Sequence, residues 1–175
     1  MKKYFAVIDT NVVISAMLVP DSIPGMVLKY VHTGDLVPLL NKEIMDEYIK
    51  VLNREKFGFD KNDIELVISS IKKNAIVLDR TITDEPFVDH KDIVFYEVAL
   101  TGREDENSYL VTGNIKHFPK KPFVVTPREM VDIINSNWLS AITYSGGSFL
   151  NIPYFFAKSL LYVKVEEVFY CIINE

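Results

Sequence analysis

The sequence predicts an α/β fold built on a parallel sheet of about five strands. Three observations carry that expectation. Short β-branched and aromatic runs alternate with segments of helical period, the pattern of right-handed βαβ units. The runs are apolar at consecutive positions, as strands covered on both faces require. Cap and breaker residues stand between them where helices must start and stop. In chain order, Tyr4-Phe5-Ala6-Val7-Ile8 reads as the first strand, and residues 11–18 have helical spacing that ends at Pro20-Asp21-Ser22. Ser22, with Pro24 two residues on, starts a second helix that runs to about Thr33 and stops at Gly34. Residues 36–40 form the second strand, and Asn41 caps a helix over residues 42–56. Phe57-Gly58-Phe59 breaks it. Asp60 caps a helix over residues 61–74 whose Ile64, Val67, Ile68 and Ile71 share one face. A short third strand over 75–78, a polar loop over 79–91 and a nearly all-apolar helix over 92–101 follow. Residues 109–112 and 123–125 complete the strands, and Thr126-Pro127-Arg128-Glu129 is a capping box with proline at the first helical position.

The chain has 175 residues, 49% hydrophobic and 25% charged, which suits one folded domain with an appendage and excludes disorder. Its character changes after Asn137: Gly146-Gly147, Pro153, a Tyr154-Phe155-Phe156 cluster and an apolar run over 159–173 fit either strand or helix. The expected division is therefore 1–137 for the domain and 138–175 for an apolar C-terminal extension. The lone Cys171 excludes an intramolecular disulfide or a cysteine-built zinc site and suits a reducing cytoplasm. The first apolar run reaches Asp9 too soon for a signal peptide. Lys158, Lys164, Glu166 and Glu167 interrupt the last apolar stretch, so no membrane span is expected and the protein reads as soluble and cytoplasmic. A net charge of −5 argues mildly against tight sequence-independent nucleic-acid binding. Lys91, Lys116, His117, Lys120 and Lys121 nonetheless stand close in sequence to the candidate site.

In parallel sheets ligands bind outside the carboxyl ends of the strands. Asp9 and Thr112-Gly113-Asn114 both follow strands, so both fall on one rim. The Asp9 carboxylate there is either a hard-cation ligand, with Asn11 holding it by a hydrogen bond, or a helix N-cap. Glu47 is a cleft acid or a boundary residue with a solvated head. Asp92 opens a buried helix, where the helix dipole favours an acid, and the same position holds its carboxylate rigidly at the rim. Asp89 is a cap or an auxiliary acid, Thr112 a donor to a carboxylate or water, and His117 a phosphate contact or a packed surface residue. Carboxylates gathered at one place repel unless a divalent cation holds them, which points to Mg²⁺ or Mn²⁺ and phosphodiester chemistry. A phosphatase using Asp9 as nucleophile lacks the second aspartate two residues on, and no Gly-rich phosphate loop is present.

Val7-Ile8-Asp9-Thr10-Asn11-Val12, Glu43-Ile44-Met45-Asp46-Glu47-Tyr48, Asp89-His90-Lys91-Asp92 with Phe95-Tyr96, and Leu110-Val111-Thr112-Gly113-Asn114 with His117-Phe118-Pro119 occur in that order. Together they resemble the motifs of PIN-domain proteins over roughly residues 4–135, closest to the branch of toxin components of type II toxin–antitoxin systems. The resemblance implies a three-layer α/β/α fold and a metal-dependent endoribonuclease that activates a water for attack on RNA phosphodiesters. It implies that Asp9, Glu47 and Asp92 bind Mg²⁺ or Mn²⁺ and converge within a few ångström of a common point. Asn114, where the family commonly carries aspartate, completes the catalytic set without a charge, and Asn11, Thr112 and Asp89 support it. RNA, a cognate antitoxin and a second copy in a homodimer are the partners this implies. The alternative is a PIN domain whose Asn114 has weakened catalysis, leaving a protein- or RNA-binding module.

Overall fold

Five short apolar segments pair side by side as parallel strands in the order β3-β2-β1-β4-β5, namely Ile76–Val77, Leu36–Leu40, Tyr4–Ile8, Ser108–Val111 and Val124–Val125. The structure is a computed structural model; it describes residues 3–87, 89 and 91–144, with side chains as far as 136. One compact unit spans Met1–Asn135 and a second Ser136–Glu175. The apolar run expected over 159–173 lies outside the described residues.

Helices α1 (Thr10–Leu18), α2 (Ile23–Thr33), α3 (Lys42–Leu52), α4 (Lys61–Asn74), α5 (Ile93–Asp105) and α6 (Pro127–Tyr144) connect or follow the strands in a three-layer α/β/α arrangement. β1 and β2 are buried almost throughout, which is why their sequences carry no polar alternation. Ala6, Val7, Leu36, Leu110, Val98 and Ala99 have no exposed surface and form the centre of the core with Val13, Met130 and Ile134. Full burial of a valine or leucine of this kind stabilises by about 1.5–3 kcal/mol.

Strand β1 lies between β2 and β4, pairing Phe5 with Val37 on one side and Ile8 with Val111 on the other. The chain therefore leaves β1 towards one edge of the sheet and later returns to its other side. That reversal opens a crevice beyond the carboxyl ends of β1 and β4, the place where open parallel sheets bind ligands.

Several boundaries differ from the sequence expectation. The helix expected to reach residue 56 ends at Leu52, because the Asn53 side chain turns back to donate to Ile49 O at 2.7 Å and a 3₁₀ turn over Glu55–Phe57 follows. Gly58 closes that turn at φ 64°, in the left-handed region that glycine enters freely. The helix expected to end at residue 101 continues to Asp105. Arg103 anchors the added turn: its guanidinium sits 4.7 Å from the Phe123 ring centroid and donates to Ser108 O at 2.7 Å. Gly102 permits this packing, since a Cβ there would stand 2.4 Å from Leu39 Cδ1. The last helix runs past Asn137 to Tyr144. Among the described residues no single helix is long and apolar enough to cross a membrane.

The polar loop over 79–91 is strapped to α5. Thr81 N donates to Thr101 Oγ1 at 2.9 Å, Thr83 N to Glu97 Oε1 at 2.9 Å, and the Tyr96 hydroxyl to Glu85 Oε1 at 3.0 Å. Phe87 packs edge-on against Tyr96 and Phe118, with centroids at 5.3 and 6.3 Å. These contacts fix the loop that leads into Asp92.

Candidate active site

Asp9 leaves the β1 ladder with its own N–H still bonded to Val111 O at 2.9 Å, then caps α1. The cap reading of this residue holds, and Asn11 also holds the carboxylate by a hydrogen bond. Oδ1 accepts from Asn11 N at 3.2 Å, the capping bond, while Oδ2 accepts from Asn11 Nδ2 and from Thr112 Oγ1, each at 2.6 Å. Thr112 is fully buried at the end of β4 and also accepts from Asn114 N at 2.9 Å. Asn11 closes the circuit by accepting from Gly113 N at 3.1 Å through Oδ1. A Cβ at Gly113 would approach that same oxygen to 3.2 Å, so the turn after β4 is held close to the turn after β1.

Burial pushes the Asp9 carboxyl above its ordinary range, and the charge of Asp92 adds to the rise; the hydrogen bonds from Thr112 and Asn11 oppose it. Tyr48, fully buried on α3 beside Glu47, donates its hydroxyl to Ile8 O under the same rim. Burial, and then the Asp9 charge, drive the Tyr48 phenol far up, so it stays a neutral donor.

Asp92 precedes the first residue of α5, yet its side chain makes no capping bond. The carboxylate turns instead to His117, with Oδ2 3.0 Å from Nδ1. Because a carboxylate accepts, Nδ1 carries the proton and Nε2 is left for another partner. Burial raises the Asp92 carboxyl, His117 lowers it, and the charges of Asp89 and Glu47 raise it further. Asp89 is exposed and accepts from Lys91 N at 3.0 Å, a local turn bond. Glu47 is half-buried on α3.

The structure thus brings Asp9, Asp92, Glu47 and Asp89 into one electrostatic neighbourhood centred on Asp92. It does not draw Asp9, Glu47 and Asp92 onto a common point: among the described residues no three histidine, cysteine, aspartate or glutamate side chains are gathered so as to hold a metal ion. The physical reason is on hand. Asp9 is tied to Asn11 and Thr112, Asp92 to His117, and unneutralised anions repel. The donor chemistry nevertheless fits a hard divalent cation, since each acid offers oxygen and the two best-placed ones are destabilised as anions.

Asn114 is exposed, and its side-chain amide bonds to no described residue. With Gly113, Ile115, Lys116, His117 and Thr126 it lines an open cavity of about 380 Å³ next to Asp92. One buried acid that braces the helices around the site was not singled out from the sequence. Glu97, buried in the apolar face of α5, accepts from Thr83 N at Oε1 and lies 3.5 Å from Arg80 Nη1 at Oε2, where it receives no hydrogen bond. Arg80 Nε lies 3.5 Å from Glu43, so one guanidinium links α5 to α3, the helices that carry the elements of the site. A lone acid inside the run Ile93 to Leu100 was the available signal.

A 29% identical stretch of 147 residues, 74% of this chain and 91% of the other, relates it to an uncharacterized protein of Methanocaldococcus jannaschii. No solved structure matches the chain. The family profile described as PIN domain matches residues 6–116, which include Asp9, Asn11, Glu47, Asp92, Thr112 and Asn114. PIN domains are generally nucleases and typically use divalent metals. With more than half its length matched, this chain belongs to the PIN domain family.

Proposed function

We propose that the chain is a Mg²⁺- or Mn²⁺-dependent endoribonuclease, acting in the cytoplasm as the toxin of a toxin–antitoxin pair with a cognate antitoxin as its protein partner. The observation that supports it best is the pair Asp9 and Asp92 in the crevice, each raised by burial and further raised by another acid. Each is an oxygen donor whose ionised form a bound divalent cation would favour. Asp9, Asp92 and Glu47 would hold it, and a divalent ion supplies Lewis acidity and a water of lowered pKa. Asn11 and Thr112 keep Asp9 in one orientation, and His117 does the same for Asp92. Asp89 adds negative charge at the mouth. The buried Tyr48 hydroxyl fixes the end of β1, from which Asp9 projects.

A second reading, a PIN domain that binds RNA or protein without cutting, is favoured by Asn114, which puts an amide where the family commonly has a fourth acid. Cleavage of a mixed RNA substrate separates the two. The enzyme reading expects cutting by the wild type in Mn²⁺, none in EDTA and none by Asp9→Asn. Cutting that persists in EDTA overturns the metal assignment, and a wild type that never cuts leaves the binding module.

A further inference from the structure

The cavity beside Asp92 has a chemistry distinct from the acidic crevice. Its lining holds no carboxylate: Gly113, Asn114, Ile115, Lys116, His117 and Thr126 surround it. Lys116 is exposed and pairs with no acid among the described residues, whereas nearby Lys121 is engaged by Glu85 at 2.8 Å. The His117 side chain, 44% exposed, is oriented through Nδ1 by Asp92 and keeps Nε2 available. The Asn114 amide is likewise uncommitted. The N-terminus of α6 contributes little, because Glu129 already accepts from Thr126 N and Oγ1 at 2.7 and 2.8 Å.

A volume of about 380 Å³ is at the small end of ligand pockets, which run from about 300 to 1,000 Å³, and suits one nucleotide unit of a strand. An aspartate at position 114 would place a negative charge against any phosphate entering there. Asparagine removes that repulsion and offers two N–H donors. The uncommitted groups are therefore one cation and neutral donors around an acid-free hollow, the set that binds a backbone phosphate.

We propose that this cavity is a phosphate subsite for the substrate strand, seating the backbone phosphate adjacent to the scissile one, with Lys116 as its cation and the Asn114 amide as a neutral donor. The subsite deepens the nuclease reading and rests on it for the position of the scissile bond. Asn114 here serves the substrate rather than a metal. The acidic chain thereby attracts an anionic strand at one local point beside its own carboxylates.

The test is binding of a fluorescein-labelled RNA oligonucleotide to the full chain in EDTA, which withholds the metal that cleavage needs, followed by anisotropy across a KCl series. Loss of one phosphate contact makes the salt slope shallower by about 0.7 for a single strand. Lys116→Ala is expected to weaken binding several-fold with that change in slope, Lys116→Arg to keep both near wild type, and Asn114→Asp to weaken binding at low salt. Wild-type affinity and slope in Lys116→Ala, or no binding by the wild type, overturns the subsite. Cleavage of ordinary RNA in Mn²⁺ is scored separately. A wild type that binds through Lys116 but never cuts retains the subsite and removes the endonuclease reading. Cutting by a wild type whose binding ignores Lys116 does the reverse.

Discussion

Thr112 donates its one hydroxyl proton to Asp9 Oδ2 and accepts the Asn114 N–H, so a single buried side chain couples the ends of β1 and β4. Valine has the same shape and neither function. Thr112→Val should destabilise the fold by about 1.5–3 kcal/mol at neutral pH, the range for a lost hydrogen bond to a charged group. The sign with pH follows from which form of Asp9 the bond favours. Thr112 lowers a carboxyl that burial has raised, so deleting it raises the folded-state value further and penalises only the ionised form. The penalty should be full where Asp9 is ionised and should fade as pH falls and Asp9 protonates. Urea denaturation of both proteins at pH 7 and pH 4 measures it; an equal difference at the two values would show that the cost comes from the lost Asn114 N–H bond and not from the bond to ionised Asp9.

Strand β2 and helix α4 were legible because explicit punctuation surrounds them: Gly34 at φ 76°, Asn41 accepting from Ile44 N, and Asp60 accepting from Asn62 N. The end of α5 was not, since its last turn depends on Arg103 meeting Phe123, a contact twenty positions away that no local pattern encodes. The site divides the same way. Asp9 and Thr112 could be placed from their positions after strands, and Asn11 from its neighbour. The His117–Asp92 pair and the Arg80 link between Glu43 and Glu97 join residues from different elements, and only folding reveals them. Asp92 opens α5 as expected, but its side chain makes no capping bond and turns to His117 instead. The capping box of α6 was fully local: Thr126 and Glu129 exchange bonds, with Glu129 N to Thr126 Oγ1 at 3.1 Å. Thr126→Ala should cost about 1 kcal/mol at neutral pH. Hydrogen bonds from Thr126 lower the Glu129 carboxyl, so this stabilisation is present above the ordinary glutamate range and is lost as pH falls through the lowered value. Only the Thr126 hydroxyl bond to the carboxylate is lost with the charge, since alanine keeps the backbone N–H and the Glu129 N bond to Thr126 Oγ1 is indifferent to pH. Thermal melts of wild type and Thr126→Ala should therefore draw closer in acid without meeting, and a gap that widens there would contradict the assignment.

The whole chain carries −5, and part of that charge is concentrated in a crevice that holds it poorly. Asp9 and Asp92 are both raised above the ordinary aspartate range, by burial first and by neighbouring acids as well. Groups of this kind contribute stability that is fully present below the unfolded-state value and is lost as pH rises through the raised folded-state values. In EDTA these two acids should make the protein less stable at neutral pH than in mild acid. A divalent cation bound between them reverses the balance, because it favours the ionised forms and binds only the folded state. At about one hundred times its dissociation constant such an ion contributes about 2.7 kcal/mol. For a chain of this length that corresponds to a rise in Tm of roughly 5–10 °C. Melts at neutral pH in EDTA, in Mn²⁺ and in KCl of matched ionic strength give the comparison, with Asp9→Asn and Asp92→Asn beside the wild type. The expected pattern is a large rise for wild type in Mn²⁺, little in KCl, and a reduced rise in each variant. An equal rise in KCl would mean general screening of an acidic surface, and an undiminished rise in both variants would move the cation away from the crevice between β1 and β4.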